Sequence, residues 1–423
     1  MRGPVAAGPA RGRFTYAAAV PALAELDLPF LDWMDEDLRG DEFHERMQAL
    51  AAEHWLAGSE PGWTFVLDRE AANFFLRSKQ VVFPSAVVAA VFGITEGPLA
   101  EAIRKNIISI EGADHGRLRN LVNPSFTPRA ADRWRPVMRE HLEEIFAPLE
   151  GGGEVEFVDA VAKRYPSQLI ASVVGAPIED APRLHSWATW FQRQFDPAAI
   201  MASRVEIEAA IVEFTAYATD LIEARRDDPG DDLISTLLTA THEGDRLSDD
   251  ECLNLVMNVL AGGVDTTQAQ LAHGIRLFAR YPEQWDLVRN DPDLVPRAVE
   301  ELLRFEPITP FTARMTTEDV DFRDVTVPEG TVLMISTFAA NRDLATYDAP
   351  FDFDVNKDRG KAKPMTFGAG IHNCLGASLA RAELQEALWF LAPRMPNLEL
   401  TGEPRFESVA GVYGLEELSI RFG

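Results

Sequence analysis

Two cysteines, Cys252 and Cys374, are all that 423 residues contain, too few for a disulfide framework or a four-cysteine metal site. That scarcity fits a reducing compartment, and the cytoplasm is the expected location. Long apolar runs are lacking too: none reaches the roughly 18 residues a membrane-spanning helix needs, so no membrane anchor is expected. The Ala-rich run Tyr16–Ala24 follows Arg2, Arg11 and Arg13, but Pro21 interrupts it and leaves its apolar part short for a secretion signal. Positive charge is in deficit. Forty Lys and Arg stand against 67 Asp and Glu, and the net charge of −27 opposes general binding to nucleic acid or anionic lipid. What is plentiful is core material: 46% of residues are hydrophobic and 25% charged, the balance of a large globular protein.

Residues 1–40 are rich in Pro, Gly and Ala and read as an irregular lead-in to a single domain over 41–423. Phe43, Met47, Leu50 and Ala51 recur at helical spacing, Trp63–Leu67 reads as a short strand, and a helix follows over Arg69–Arg77. From Arg129 to about Ala279 the pattern is helical, with breaks at Gly151-Gly152-Gly153 and at Asp227–Gly230. Strand patterns return over Val320–Ser336 and Glu407–Arg421. The fold class is therefore mainly α with small β-sheets: a helical body and a small β-rich lobe.

One helix stands apart. Ser248-Asp-Asp-Glu251 is a capping box, and the proline-free apolar stretch after it runs from Cys252 to about Arg280. Roughly 30 residues far exceeds the usual ~11–12, so this helix should cross the whole globule. Gly262-Gly263 and Asp265-Thr266-Thr267 sit mid-helix, where a buried apolar helix least accommodates them. Local inconsistency of that kind marks candidate functional sites.

The second conspicuous segment is Phe367-Gly-Ala-Gly-Ile-His-Asn-Cys-Leu-Gly376, leading into a helix expected near Leu375. Its glycines permit sharp turns and close approach to a flat ligand, and a helix N-terminus favours thiolate, the metal-binding form of cysteine. This run resembles the haem-binding signature of the cytochromes P450 at Phe367, Gly368, Gly370, His372, Cys374 and Gly376. The resemblance implies that family's fold, haem b as cofactor and Cys374 as the axial ligand of the haem iron. Four further motifs follow the family's order. Glu301-Leu-Leu-Arg304 resembles its buried structural ion pair, whose usual third member, an arginine, is replaced by Asp352; Arg359 is the candidate substitute. His115 and Arg119, with Arg314 and His372, resemble the group that binds the haem propionates, while Arg117 has no such match. Ala261-Gly-Gly-Val-Asp-Thr-Thr267 resembles the oxygen-binding kink, with Gly262 and Gly263 leaving space for dioxygen and Asp265 and Thr266 as catalytic proton donors. The alternative for Thr266 is a hydroxyl that bonds back to the Gly262 carbonyl and bends the helix. Asn341-Arg-Asp343 matches a triplet expected to be structural. Cys252 has no family role and reads as an inert thiol.

The resemblance further implies monooxygenation of a small hydrophobic substrate by dioxygen. No dinucleotide fingerprint or iron–sulfur cysteine set accompanies these motifs, so electrons are expected from a ferredoxin and an NAD(P)H-dependent ferredoxin reductase. Lys357-Asp-Arg-Gly-Lys-Ala-Lys363, cationic in an acidic chain, is the candidate docking surface. By the same resemblance the substrate pocket would draw on Val88, Phe92, Phe191, Ala261, Val264, Ile308, Thr309 and Tyr413. A peroxide-driven peroxygenase and a non-catalytic haem or ligand-binding protein are the alternatives; the intact Asp265-Thr266 pair argues against the first.

Overall fold

The computed structural model describes residues 22–423. The first half of the expected lead-in, including most of the Tyr16–Ala24 run, lies outside the described residues. Its second half is irregular but packed: Leu31, Trp33 and Leu38 are fully buried, so the core begins before residue 41.

Twelve short strands are present among the described residues. In chain order they are β1 (Leu56–Ser59), β2 (Trp63–Val66), β3 (Val81–Val82), β4 (Gly153–Glu156), β5 (Phe311–Thr316) and β6 (Val320–Phe322). The others are β7 (Val325–Val327), β8 (Val332–Ser336), β9 (Glu399–Leu400), β10 (Arg405–Phe406), β11 (Leu415–Glu417) and β12 (Ser419–Phe422). The main sheet has the order β1-β2-β8-β5-β3, with β2 and β8 parallel and the other neighbours antiparallel. Every residue of β2 and β8 is buried, which is why these strands read as continuous apolar runs rather than alternating ones. A second sheet, β4-β12-β9, joins the middle of the chain to its end.

Of sixteen α-helices among the described residues, eleven are labelled: α1 (Gly40–Glu53), α2 (Arg69–Arg77), α3 (Ser85–Val91), α4 (Gly112–Val122), α5 (Arg135–Phe146) and α6 (Arg164–Val174). Then come α7 (Ala181–Gln192), α8 (Pro197–Asp227), α9 (Asp249–Arg280), α10 (Val295–Phe305) and α11 (Ala377–Leu391). The sequence places α2 and the start of α9 correctly. The Ser248 hydroxyl accepts from the Glu251 N–H and the Glu251 carboxylate accepts from the Ser248 N–H, closing the capping box. At ~1.5 Å per residue the 32 residues of α9 span ~48 Å. Helices α6, α7 and α11 pack around it. Gly263 is what lets α6 in: a Cβ there would lie 2.7 Å from Cδ1 of Ile170. It serves helix packing while still bordering an internal cavity beside Gly262, where a Cβ would meet open space. Cys252 is a buried thiol on α9, pushed up to about 11 by desolvation, in keeping with an inert role.

Candidate active site

The cysteine segment forms a tight loop before α11. Gly368 and Gly370 both take positive φ (+68° and +73°), and a Cβ on Gly370 would sit 2.1 Å from the Leu76 carbonyl oxygen. The Cys374 N–H donates to the Phe367 carbonyl at 2.9 Å, and the Asn373 side chain donates to the Phe367 and Gly368 carbonyls. Helix α11 begins at Ala377, two residues later than expected, so Cys374 precedes its first turn. The thiol faces an internal cavity enveloped by protein. Desolvation raises its pKa, while the N–H groups of Gly376 and Ala377 and the guanidinium groups of Arg119 and Arg381 pull it down.

That cavity, about 1740 Å³ of atom-free space including its mouth, lies between the cysteine loop and α9. Gly262 on one wall and Gly376 on the other both face it, and a Cβ on either would meet open space. His115, Arg119, Arg314 and His372 border the same space, as the sequence anticipates. The His115 and His372 rings meet edge to face, 4.5 Å between centroids, and His372 Nε2 lies 2.9 Å from the Glu111 carboxylate. Arg314 is only 4% exposed, yet its bonds run to Thr312 and to its neighbour's carbonyl, with no carboxylate partner among the described residues. Desolvation lowers it to about 10. His115 falls to about 4 through burial, then His372 and Arg119; Arg119 itself is lowered by burial. The buried Arg314 and half-buried Arg119, with no carboxylate partner among the described residues, call for an anionic ligand.

Across the cavity α9 runs unbroken through 262–267, and the Thr266 hydroxyl donates to the Gly262 carbonyl at 2.6 Å. The kink is thus reduced to this back-bond, with Thr266 still bordering the cavity. Asp265 does not border it. Its carboxylate accepts from the Thr189 hydroxyl on α7 at 2.9 Å, and burial raises it to about 7.

Of the expected substrate contacts, Phe191, Ala261, Ile308 and Thr309 line the cavity. Val264 does not: two residues beyond Gly262 it turns to another helix face and is fully buried in the core. Tyr413 is also core, its hydroxyl accepting from the Gly40 N–H at 2.7 Å and its ring stacked on Phe406. Val88 and Phe92 pack against the N-terminal core cluster instead. Lining residues that the sequence reading omits include Ile107, Leu255, Asn258 and Val259. The last three could have been found, because 255, 258/259, 262 and 266 share one helix face.

Beneath the site, Arg304 binds Glu301 through two bonds of 2.7 Å, and Arg359 binds the same carboxylate at 2.6 and 3.2 Å. Arg359 is therefore the third member of the network. Asp352 supplies only its carbonyl, shared by both arginines. Asn341 is fully buried and bonds Met365 and Thr366, a structural role as expected. Two cations of the expected docking run are committed internally, Arg359 to Glu301 and Lys357 to Asp348 at 2.8 Å. Lys361 and Lys363 stay exposed. Arg117 pairs with Asp245 and Glu251, away from the propionate group.

Comparison with known proteins identifies the family. The family model described as Cytochrome P450 matches residues 39–391. The chain belongs to the cytochrome P450 family. Luteothin monooxygenase of Streptomyces thioluteus is 33% identical over 398 residues, covering 94% of this chain and 97% of that relative. Mycinamicin IV hydroxylase/epoxidase of Micromonospora griseorubida is 37% identical over 303 residues, 71% of this chain and 75% of that one. The crystal structure of CalO2 superposes with a TM-score of 0.86 at 29% identity, covering 94% of this chain and 99% of that one. This P450 is a monooxygenase, and a haem iron is its cofactor. The residues present fit that group. Among the described residues no three metal-ligating side chains converge, so Cys374 can offer one ligand while the others come from the cofactor. The buried cations suit propionates, and the facing glycines leave the gap a flat macrocycle needs. No helix among the described residues is long and apolar enough to cross a membrane.

Proposed function

We propose that this P450 oxygenates a small hydrophobic molecule, using haem b held by Cys374 and electrons from a ferredoxin and its NAD(P)H-dependent reductase. When bound, the haem supplies oxygen activation and transfer of one oxygen atom to the substrate. The chain's own residues do the rest. The Cys374 sulfur, among the backbone N–H groups of Gly376 and Ala377, would hold the iron. Arg314, Arg119, His115 and His372 hold the carboxylates of the cofactor and, with that charge compensated, fix its orientation. Phe191, Leu255, Val259 and Ile308 give the distal wall an apolar surface that exclude water and grip a hydrophobic substrate. Thr266, bordering the cavity, presents the hydroxyl, and Asp265 behind it exchanges protons near neutral pH.

The observation that carries this reading is the convergence on one cavity of a lone thiol, two arginines without a carboxylate partner among the described residues, and a hydroxyl on the opposite wall. Electron delivery would use the exposed side of the cysteine loop, where Ile371 is 57% exposed and Gly370 abuts the backbone of Arg77. Lys361 and Lys363 supply the charge expected to steer an acidic ferredoxin. Turnover of a hydrophobic substrate panel with ferredoxin, reductase and NAD(P)H should exceed turnover with peroxide; the reverse result would favour a peroxygenase.

A further inference from the structure

Neighbouring carboxylates on α10 diverge: Glu301 turns inward to Arg304 and Arg359, while Glu300 reaches across to α11 and receives Arg381. That ion pair is two-pronged, Arg381 Nε donating to one Glu300 oxygen at 2.5 Å and Nη2 to the other at 3.2 Å. Nη1 turns back to the Ala377 carbonyl, at the start of α11, at 3.4 Å. Held this way, the planar guanidinium lies over the Phe367 ring, its Cζ 4.6 Å from the ring centroid. Phe367 in turn accepts the Cys374 N–H through its carbonyl and borders the cavity that the thiol faces. Arg381 does not border that cavity, so its charge acts on the sulfur from outside it, and it is among the groups that favour the thiolate.

We propose that Arg381 is a positioning residue for the thiolate ligand: clamped by Glu300, it holds the Phe367 ring beside the cysteine loop, and the balance of charge in the Glu300–Arg381 pair sets how readily the bound iron accepts an electron. The inference rests on the reading of Cys374 as the ligand of the iron. A cation near that ligand draws charge from the sulfur and favours the arrival of an electron on the iron, while a carboxylate beside the cation offsets part of the effect. The two members of one ion pair therefore act with opposite sign. A pair that served packing alone would show the same sign, or none, whichever member were removed.

The test is a spectroelectrochemical titration of the haem-loaded full-length protein without ferredoxin, so that docking plays no part. Arg381→Met should lower the midpoint potential of the iron, and Glu300→Gln should raise it. Arg381→Lys keeps the charge without the planar stack and should fall between Arg381→Met and the wild type; a lysine variant equal to the wild type would overturn the clamp. Shifts of one sign in Arg381→Met and Glu300→Gln, or none in either, overturn the proposal, and a red-shifted Soret band under carbon monoxide in the same samples leaves the Cys374 reading standing. Absence of that band from the wild type removes the Cys374 reading and the proposal with it. Should Arg381→Met fail to load haem, Glu300→Gln decides alone: a midpoint at or below that of the wild type overturns the proposal.

Discussion

Arg314 is a guanidinium placed where water scarcely reaches and no carboxylate answers it. Its burial is unfavourable until an anion arrives, so one substitution should have opposite effects in two states. Arg314→Leu is expected to raise the melting temperature of the haem-free protein. In the loaded protein it should speed haem loss to apomyoglobin ~10–100-fold, the worth of one charge-assisted bond. Equal destabilisation of both states would contradict a propionate role. That His115, Arg119, Arg314 and His372 share one cavity was legible in the sequence because each lies in a short motif. Tyr413 was misread because nothing local reveals that its hydroxyl is bonded to Gly40, 373 residues away. Val264 was misread for a simpler reason, since a contiguous motif was assigned to the cavity when a helix shows only every third or fourth residue to one side. Arg359 could be named as a candidate partner of Glu301, but only the fold brings them to 2.6 Å. Arg359→Leu leaves Glu301 with one cation fewer in a buried site, and should destabilise the protein by about 3 kcal/mol in urea unfolding.

At the scale of elements, the cysteine loop is fixed by α2 as much as by its own glycines. Gly370→Ala places a methyl on the Leu76 carbonyl at a backbone angle that L-residues avoid. A loss of ~2 kcal/mol or more is expected, with lower yield of haem-loaded protein; a fully loaded, equally stable variant would show the loop to be slack. Helix α11 meets α9 through Glu383, fully enclosed, lifted to about 8 by desolvation and bonded by the Thr267 hydroxyl. The folded state keeps this proton to a higher pH than the unfolded chain, which releases it near 4.5. Stability attributable to Glu383 is therefore present at acid pH and is lost as pH rises toward and through 8. Glu383→Gln should flatten that decline, measured as melting temperature between pH 6 and pH 9. The long helix was legible from its cap, its length and its apolar run. Strand β4 was not: Gly-Glu-Val-Glu is polar and short, and its partner β12 ends the chain. Pairing between segments that distant leaves no trace in local pattern.

At the scale of the whole molecule, the proposed ferredoxin would have to dock on a chain of net charge −27. The docking run is weaker than its composition suggests, because folding commits Arg359 to the buried Glu301 and pairs Lys357 with the exposed Asp348. Reversing Lys361 and Lys363 to Glu should slow reduction by ferredoxin and flatten its dependence on salt, while substrate binding stays unchanged. Fold class and the order of motifs were readable because they depend on local periodicity and short spacings. The polar seam between α7 and α9 was not, since Thr189 and Asp265 are 76 residues apart and Thr189 belongs to no motif. The central claim is that Cys374 binds the iron as thiolate. The visible spectrum of the dithionite-reduced protein under carbon monoxide tests it most directly, beside that of Cys374→Ala. A strongly red-shifted Soret band in the wild type, absent from the variant, is the expected result. A Soret band that ignores Cys374 would contradict it.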